Sequence, residues 1–87
     1  MQHNNLDDMA NKLKALGHPV RLKIVKGLVK DGCNVNKIVK GLGLPQSTVS
    51  QHLAILKNAG IIKGVRSGVK ICYKVADEFT RTVLKEV

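Results

Sequence analysis

The sequence predicts a mainly α-helical domain with one β-hairpin, the architecture of a winged helix-turn-helix. Residues 34–59 show the pattern of a short helix, a glycine-containing turn and a second helix, which is typical of a helix-turn-helix. Residues 61–75 then change from helical to alternating periodicity, which predicts a hairpin, or wing. We expect helices at about 5–16, 18–30, 34–41, 45–59 and 77–86, with the hairpin at about 61–75.

Length and charge narrow the class of protein further. The chain has 87 residues, enough for a single domain (1–87) with one small core. Its formal net charge of +9 favours a polyanionic partner, and nucleic acid more than a membrane surface. There is no run of 18 apolar residues and no apolar leader with a cleavage site. We therefore expect a soluble, cytoplasmic protein that does not engage membranes.

The helix predicted at 45–59 has one apolar and one polar face. Pro45 suits its first turn, and Gly60 suits the left-handed position just past its end. At helical spacing Val49, Leu53 and Leu56 form a core stripe. The opposite stripe consists of small or uncharged residues, namely Ser47, Ser50, Gln51, Ala54 and Asn58. Serine and glutamine both donate and accept hydrogen bonds, so this face suits base edges in a DNA major groove, although a merely solvated outer face has a similar pattern.

The charge around this helix favours the nucleic-acid interpretation. No acidic residue occurs between Asp31 and Asp77, whereas that interval contains Lys37, Lys40, Lys57, Lys63, Arg66, Lys70 and Lys74. We predict base contacts from Gln46, Ser47, Ser50 and Gln51, and phosphate contacts from Thr48, Lys57, Arg66 and Lys70. His52, at the flank of the helix, is a further candidate for a phosphate contact.

Patterns elsewhere predict helix caps, the faces of the wing and an interface. Asn34 and Asp77 precede helices as candidate caps. In the wing an apolar set, Val69, Ile71, Tyr73 and Val75, alternates with Lys70, Cys72 and Lys74, which predicts an apolar inner face and a basic outer face. The first and last helices carry more apolar surface than a core of this size absorbs, so we expect a dimer interface formed by Leu6, Met9, Leu13, Phe79, Val83 and Leu84.

Two segments give the chain a family resemblance. Residues 15–24, which include His18-Pro19-Val20-Arg21, and residues 44–53 around Gln46-Ser47-Thr48-Val49-Ser50-Gln51 resemble the ArsR/SmtB family of bacterial and archaeal repressors, as does a wing ending in Tyr73. The resemblance covers roughly residues 6–80. It implies a homodimer built through the first and last helices, bound to an inverted repeat in an operator and released by an inducer.

The resemblance also implies metal sites whose ligands this sequence lacks. The family's thiolate site corresponds here to the segment Asn34-Val35-Asn36-Lys37-Ile38, in which both thiols are missing. The family's other site matches at Asp77, but Phe79 replaces a histidine and no histidine follows. We therefore predict no metal ligand and no cofactor, and DNA binding that is indifferent to transition metals.

The two cysteines have no metal-like spacing, and we expect no disulfide framework. Cys33 lies one residue before the lost thiol position, where a shifted register could make it a ligand, but we expect a small core residue. Cys72 is expected on the polar side of the wing, where Lys70 and Lys74 could stabilise its thiolate. Both remain candidate redox residues, although winged-helix topology does not obviously bring them together.

The sequence predicts no enzyme. Its histidines, His3, His18 and His52, lie in separate segments, and no nucleophile–base set is visible. His18 precedes Pro19 at a helix junction and is expected to be structural. We predict a sequence-specific, double-stranded-DNA-binding regulator, a homodimeric repressor without metal control. The alternatives are a thiol-, redox- or metal-responsive derepressor, and a winged-helix module that docks protein.

Overall fold

The mainly helical winged helix-turn-helix is confirmed in a computed structural model, which describes residues 5–86. Its elements are α1 (Asn5–Leu16), α2 (Pro19–Lys30), α3 (Val35–Leu42), α4 (Gln46–Asn58), β1 (Ile62–Ser67), β2 (Lys70–Val75) and α5 (Glu78–Leu84). The predicted order is correct, and each boundary lies within two residues of its predicted position. Among the described residues, no helix combines the length and the apolar character that a membrane crossing requires.

Helix α2 begins with a side-chain cap. The Nδ1 atom of His18 accepts a hydrogen bond from the backbone N–H of Val20 at 3.1 Å, and Pro19 is the first helical residue. This cap satisfies one of the amides that a helix start leaves without a partner, while proline loses no hydrogen bond at that position. The structural role predicted for His18 is confirmed.

The turn between α3 and α4 differs slightly from the prediction. Leu42, expected just past the end of the helix, is the last residue of α3, and Gly43 caps the helix in the left-handed conformation (φ 65°). Pro45 precedes α4 in an extended conformation instead of lying in its first turn, and its carbonyl accepts from the Val49 N–H at 3.1 Å. A proline suits this place because its N–H would have no partner there in any case.

The predicted caps of α3 and α5 have different outcomes. Asn34 lies at the cap position of α3, but its side chain makes no capping hydrogen bond and donates to the Oδ2 atom of Asp31 at 2.6 Å. Asp77 caps α5 as predicted, because its Oδ2 atom accepts from the backbone N–H of Thr80 at 2.8 Å. Thr80 is fully buried, and its hydroxyl donates to the same oxygen.

The wing is an antiparallel hairpin in which Ile62 pairs with Val75 and Ser67 with Lys70. Its predicted apolar inner face exists only at the base, where Val75 is buried and Tyr73 half-buried. Ile71 is 46% exposed, and Val69 lies in the turn and is 99% exposed. The prediction of a continuous inner face is wrong, because the outer half of the hairpin extends beyond the helices that could cover it.

The core forms where α2 and α4 meet the base of the wing. Its residues are Ala15, Leu16, Ile24, Val25, Leu28, Val49, Leu56, Ile61, Ile62 and Val75. The predicted inner stripe of α4 is confirmed, with Val49 and Leu56 buried and Leu53 packed against them. Since this stripe is buried in the core, the opposite face of α4 points to solvent.

Candidate nucleic-acid interface

The outward face of α4 is open along its whole length. We define the recognition face as the exposed α4 residues Gln46, Ser47, Ser50, Gln51, Ala54 and Asn58. It contains no charged side chain. Thr48 is half-buried at its edge, and Lys57 is exposed near the end of the helix. The structure therefore presents the predicted base-contacting residues together on one side of α4.

The wing lies beside this face. A groove of about 470 Å³ separates them, and it is lined on one side by Gln46 and Ser50 and on the other by Val69 and Lys70. We call it the wing groove. Arg66 and Lys70 are both exposed on the hairpin. The recognition face and the basic wing thus border the same concave surface.

His52 has a different environment from the one the sequence suggested. Its Nδ1 atom lies 3.2 Å from the Nη1 atom of Arg21, and its ring centroid is 4.7 Å from that of His18. Arg21 also donates from Nε to the carbonyl of Ala15. These contacts connect α4 to α2 and to the end of α1. Only the Nε2 atom of His52 is left to reach a phosphate. No role was assigned to Arg21 from the sequence, and the segment His18-Pro19-Val20-Arg21 was the one signal that could have identified it.

Electrostatics disfavour a charged His52. Burial lowers the pKa of His52, and the neighbouring His18 and Arg21 lower it further. A neutral imidazole can accept a hydrogen bond from the Arg21 guanidinium, whereas an imidazolium would be repelled by it. The ring therefore serves mainly to position α4 on α2.

Asp77, the position that matches a metal ligand of the resembled family, has other partners. The Nζ atom of Lys12 lies 2.6 Å from its Oδ1 atom, and Thr80 occupies Oδ2. Burial opposes the ionised form, but the bonds from Lys12 and Thr80 hold the pKa of Asp77 below its usual value. The Lys12 ammonium supplies the positive charge that a metal would bring. Within residues 5–86, no three His, Cys, Asp or Glu side chains converge to hold a metal ion.

The cysteines overturn a prediction, because Cys33 and Cys72 form a disulfide across a sequence separation of 39 residues. Cys33 is not a core residue but is exposed, and Cys72 is half-buried and not free. Winged-helix topology was not expected to bring the two thiols together, and the disulfide shows that this expectation is wrong. The separation of the two cysteines can therefore no longer be used as an argument against a metal site built from thiolates, since their sulfur atoms do converge.

Backbone contacts explain how the thiols meet. The turn between α2 and α3 approaches the edge of β2 closely enough for the Tyr73 N–H to donate to the Gly32 carbonyl at 2.9 Å. A Cβ atom at position 32 would lie 1.8 Å from the Tyr73 carbonyl oxygen. Only a glycine allows this approach. Because Cys33 follows Gly32 and Cys72 precedes Tyr73, the same approach brings the two cysteines together.

The six residues predicted at a dimer interface lie on α1 and α5. Leu6 is 81% and Leu13 49% exposed, and Met9 is exposed as well. Phe79, Val83 and Leu84 on α5 are half-buried. The Lys12–Asp77 ion pair joins the two helices. The core therefore leaves the large apolar side chains of α1 exposed and covers those of α5 only in part.

Comparisons with known proteins give the same picture. The pattern of the bacterial regulatory protein arsR family matches residues 18–63. The HTH-type transcriptional repressor SmtB of Mycobacterium tuberculosis is 46% identical over 72 residues, which cover 83% of this chain and 53% of SmtB. The transcriptional repressor PagR of Bacillus anthracis is 40% identical over 86 residues, which cover 98% of this chain and 86% of PagR. This chain thus spans about half the length of SmtB.

Solved structures share the fold. The PagR crystal structure matches with a TM-score of 0.82 and 41% identity, covering 93% of each chain. The homodimeric winged helix-turn-helix DNA-binding domain of a possible ArsR-family regulator from Mycobacterium bovis matches with a TM-score of 0.78 and 28% identity, covering 99% of this chain and 83% of that domain. The fold and the exposed helix define a winged helix-turn-helix regulator. The chain belongs to the arsR family of bacterial regulatory proteins, which are transcriptional regulators and not enzymes.

Proposed function

We propose that this protein is a sequence-specific repressor that binds double-stranded DNA as a homodimer on an inverted-repeat operator, without metal control. The observation that carries the proposal is the uncharged, exposed recognition face beside a basic wing. An exposed helix face that faced only water would normally carry acidic and basic side chains, whereas this one carries serine, glutamine and asparagine.

The major groove is the natural site for this face. It is wide enough to admit an α-helix, and each base pair presents a distinct pattern of donors and acceptors there. Gln46, Ser47, Ser50 and Gln51 would contact base edges, while Thr48, Lys57, Arg66 and Lys70 would hold phosphates, with His52 able to add one contact through Nε2. SmtB and PagR, both named as transcriptional repressors, support the proposed repressor role, and the homodimeric DNA-binding domain from Mycobacterium bovis supports the proposed dimer.

A protein-docking role fits the same surface less well. Protein interfaces depend on a few large anchors, most often Trp, Tyr and Arg. The recognition face contains none of these residues. The net charge of +9 gives either kind of protein some salt-sensitive binding to random-sequence duplex DNA. The two functions are separated by comparing a selected duplex with random duplex at one salt concentration, because only a sequence-specific DNA-binding protein prefers the selected sequence.

The base and phosphate assignments predict opposite effects for two substitutions. Gln51→Ala is expected to cost about 1 to 3 kcal/mol at one base position and to relax specificity there. Lys70→Ala is the matched control, and it should weaken operator and random DNA about equally and reduce the salt slope by roughly one charge. Both affinities are measured by fluorescence anisotropy. An unchanged ratio of operator to random affinity in Gln51→Ala would show that Gln51 does not read a base.

The exposed apolar residues of α1 predict an obligatory dimer. Leu13→Glu should shift the protein from dimer to monomer at micromolar concentration, because it places a charge in a surface that dimerisation desolvates. Sedimentation equilibrium measures the shift, and operator affinity should fall with it. Asn11→Glu is the control, since Asn11 is exposed on the same helix but away from the apolar residues. A monomeric wild-type protein that still binds its operator tightly would contradict the prediction.

Operator binding is expected to be indifferent to transition metals. Asp77 is occupied by Lys12 and Thr80, and the two cysteines have no third ligand within the described residues. An inducer must bind one conformation more tightly than another, and a protein without a site lacks that difference. Affinity should stay within tenfold on addition of stoichiometric zinc, nickel, cadmium or arsenite, with the disulfide intact or reduced. A larger weakening, about 1.4 kcal/mol of coupling, would refute metal independence.

A further inference from the structure

We propose that Cys33 and Cys72 form a redox-active dithiol–disulfide site whose oxidant is a hydroperoxide and whose disulfide form strengthens DNA binding by holding the wing. The proposal rests on the proposed function, because its readout is affinity for DNA. Neither cysteine is among the residues that we propose to contact DNA.

The disulfide joins two parts of the DNA-binding unit. Cys33 lies in the turn between α2 and α3, and Cys72 lies in β2 of the wing. The 39-residue separation between them contains α3, all of α4 and β1. Opening or closing this one bond therefore changes how firmly the wing is held to the helix-turn-helix that carries the recognition face.

The site is accessible to a small oxidant. Cys33 is exposed and lines the wing groove, which at about 470 Å³ is large enough to admit a hydroperoxide. The side chains lining this groove include Lys70 and no carboxylate. The nearest acid along the chain, Asp31, uses its Oδ1 atom to accept from the Cys33 backbone N–H and its Oδ2 atom to accept from Asn34. Both Asp31 oxygens are thus engaged by other groups, and the exposed Cys33 sulfur can be reached from the open groove.

The chemistry balances with the hydroperoxide as the only co-reactant. In the reduced protein the Cys33 thiolate attacks the outer oxygen of the peroxide, the O–O bond breaks, and the alcohol leaves with a proton, so that Cys33 becomes a sulfenic acid. The Cys72 thiolate then attacks that sulfur, the S–S bond forms, and the S–O bond breaks with release of water. Two thiols lose two electrons, and the peroxide gains them. A dithiol reductant reverses the change by thiol–disulfide exchange.

The outer wing has little else to hold it. Tyr73 donates to Gly32, and Val75 is buried, but Ile71 is nearly half exposed and the Val69 turn almost fully so. Ordering a mobile segment during binding costs conformational entropy. The disulfide removes part of that motion before DNA arrives, with Arg66 and Lys70 already beside the recognition face. The oxidised protein is therefore the tighter DNA-binding form.

The test compares wild-type protein with Cys33→Ser and Cys72→Ser, each treated with dithiothreitol or with cumene hydroperoxide. Thiols are counted by alkylation and mass spectrometry, and affinity is measured for a duplex that the oxidised protein selects from a randomised library. We expect peroxide to consume both thiols within one protomer and reduction to weaken binding at least fivefold. Both serine variants should bind like the reduced protein and ignore peroxide. Trypsin should cleave at Arg66 and Lys70 faster in all of these weaker forms.

Several results would overturn the proposal. Equal affinity of oxidised and reduced wild type would remove the regulatory role while leaving the DNA-binding function intact. Weaker binding after oxidation would contradict the direction, and a peroxide effect that persists in both serine variants would place the chemistry elsewhere. Failure of every form to bind any DNA would overturn the proposed function and this inference with it.

Discussion

Reduction of the Cys33–Cys72 disulfide is expected to lower the free energy of unfolding by about 4 kcal/mol. The bond closes a loop across a sequence separation of 39 residues, and a cross-link of that span removes much of the freedom of the unfolded chain. For a domain this small, such an amount is a large share of the total stability. Urea unfolding followed by circular dichroism, with and without dithiothreitol, measures the difference.

The matched control is the double variant Cys33→Ser/Cys72→Ser. It should unfold at the midpoint of the reduced wild-type protein and should not respond to dithiothreitol. If reductant leaves the wild-type midpoint unchanged while alkylation shows that both thiols are free, the cross-link contributes nothing to stability.

Gly32→Ala is expected to destabilise the fold by about 3 kcal/mol, combining overpacking with the loss of one hydrogen bond. The added Cβ atom would lie 1.8 Å from the Tyr73 carbonyl oxygen, so the turn and β2 must move apart. That movement breaks the 2.9 Å bond from the Tyr73 N–H to the Gly32 carbonyl. The measurement is again urea unfolding, with the disulfide reduced in all samples so that the backbone contact is tested by itself.

Gly41→Ala is the comparison. Gly41 lies inside α3, and a Cβ atom there would meet nothing within 4 Å. Alanine should stabilise the helix by up to about 1 kcal/mol, because it loses less backbone freedom than glycine on folding. Similar stability of the Gly32→Ala and wild-type proteins would mean that the turn and β2 are not in close contact.

The helices and the face of α4 could be predicted from the sequence because their signals are local. The spacing of Val49, Leu53 and Leu56 identifies the inner stripe of α4, and the residues opposite them are then outside. Asp77 as a cap and Gly60 as a helix end follow from the chemistry of single positions. These features depend on neighbours within a few residues, which a sequence displays directly.

The contacts that the sequence did not reveal join distant segments. Cys33 and Cys72 are 39 residues apart, Arg21 and His52 are 31 apart, and Lys12 and Asp77 are 65 apart. No periodicity relates such pairs, because they depend on how the elements pack against one another. From the sequence, Asp77 was considered only as a helix cap and as a possible metal ligand, and its ion pair with Lys12 was not predicted.

The wing shows a different limit of prediction from sequence, which concerns burial. Alternation along β2 correctly separates the side chains of the two faces of a strand, but it does not tell whether anything covers either face. Val75 at the base is buried by the core, whereas Ile71 and Val69 extend past it. Predicting burial there would have required knowing how far the hairpin projects beyond α2 and α4.

In the proposed homodimer, the recognition faces of the two protomers read an inverted repeat in duplex DNA. The most direct measurement is the affinity of the protein for a duplex that it selects from a randomised library, followed from 50 to 200 mM salt. We expect the selected sequences to form an inverted repeat with half-sites about one helical turn, or a multiple of it, apart. Lys57, Arg66 and Lys70 from two protomers would neutralise about six phosphates, giving a slope of log affinity against log salt near −5. Absence of any enriched sequence, together with an affinity that does not change with salt, would contradict the account.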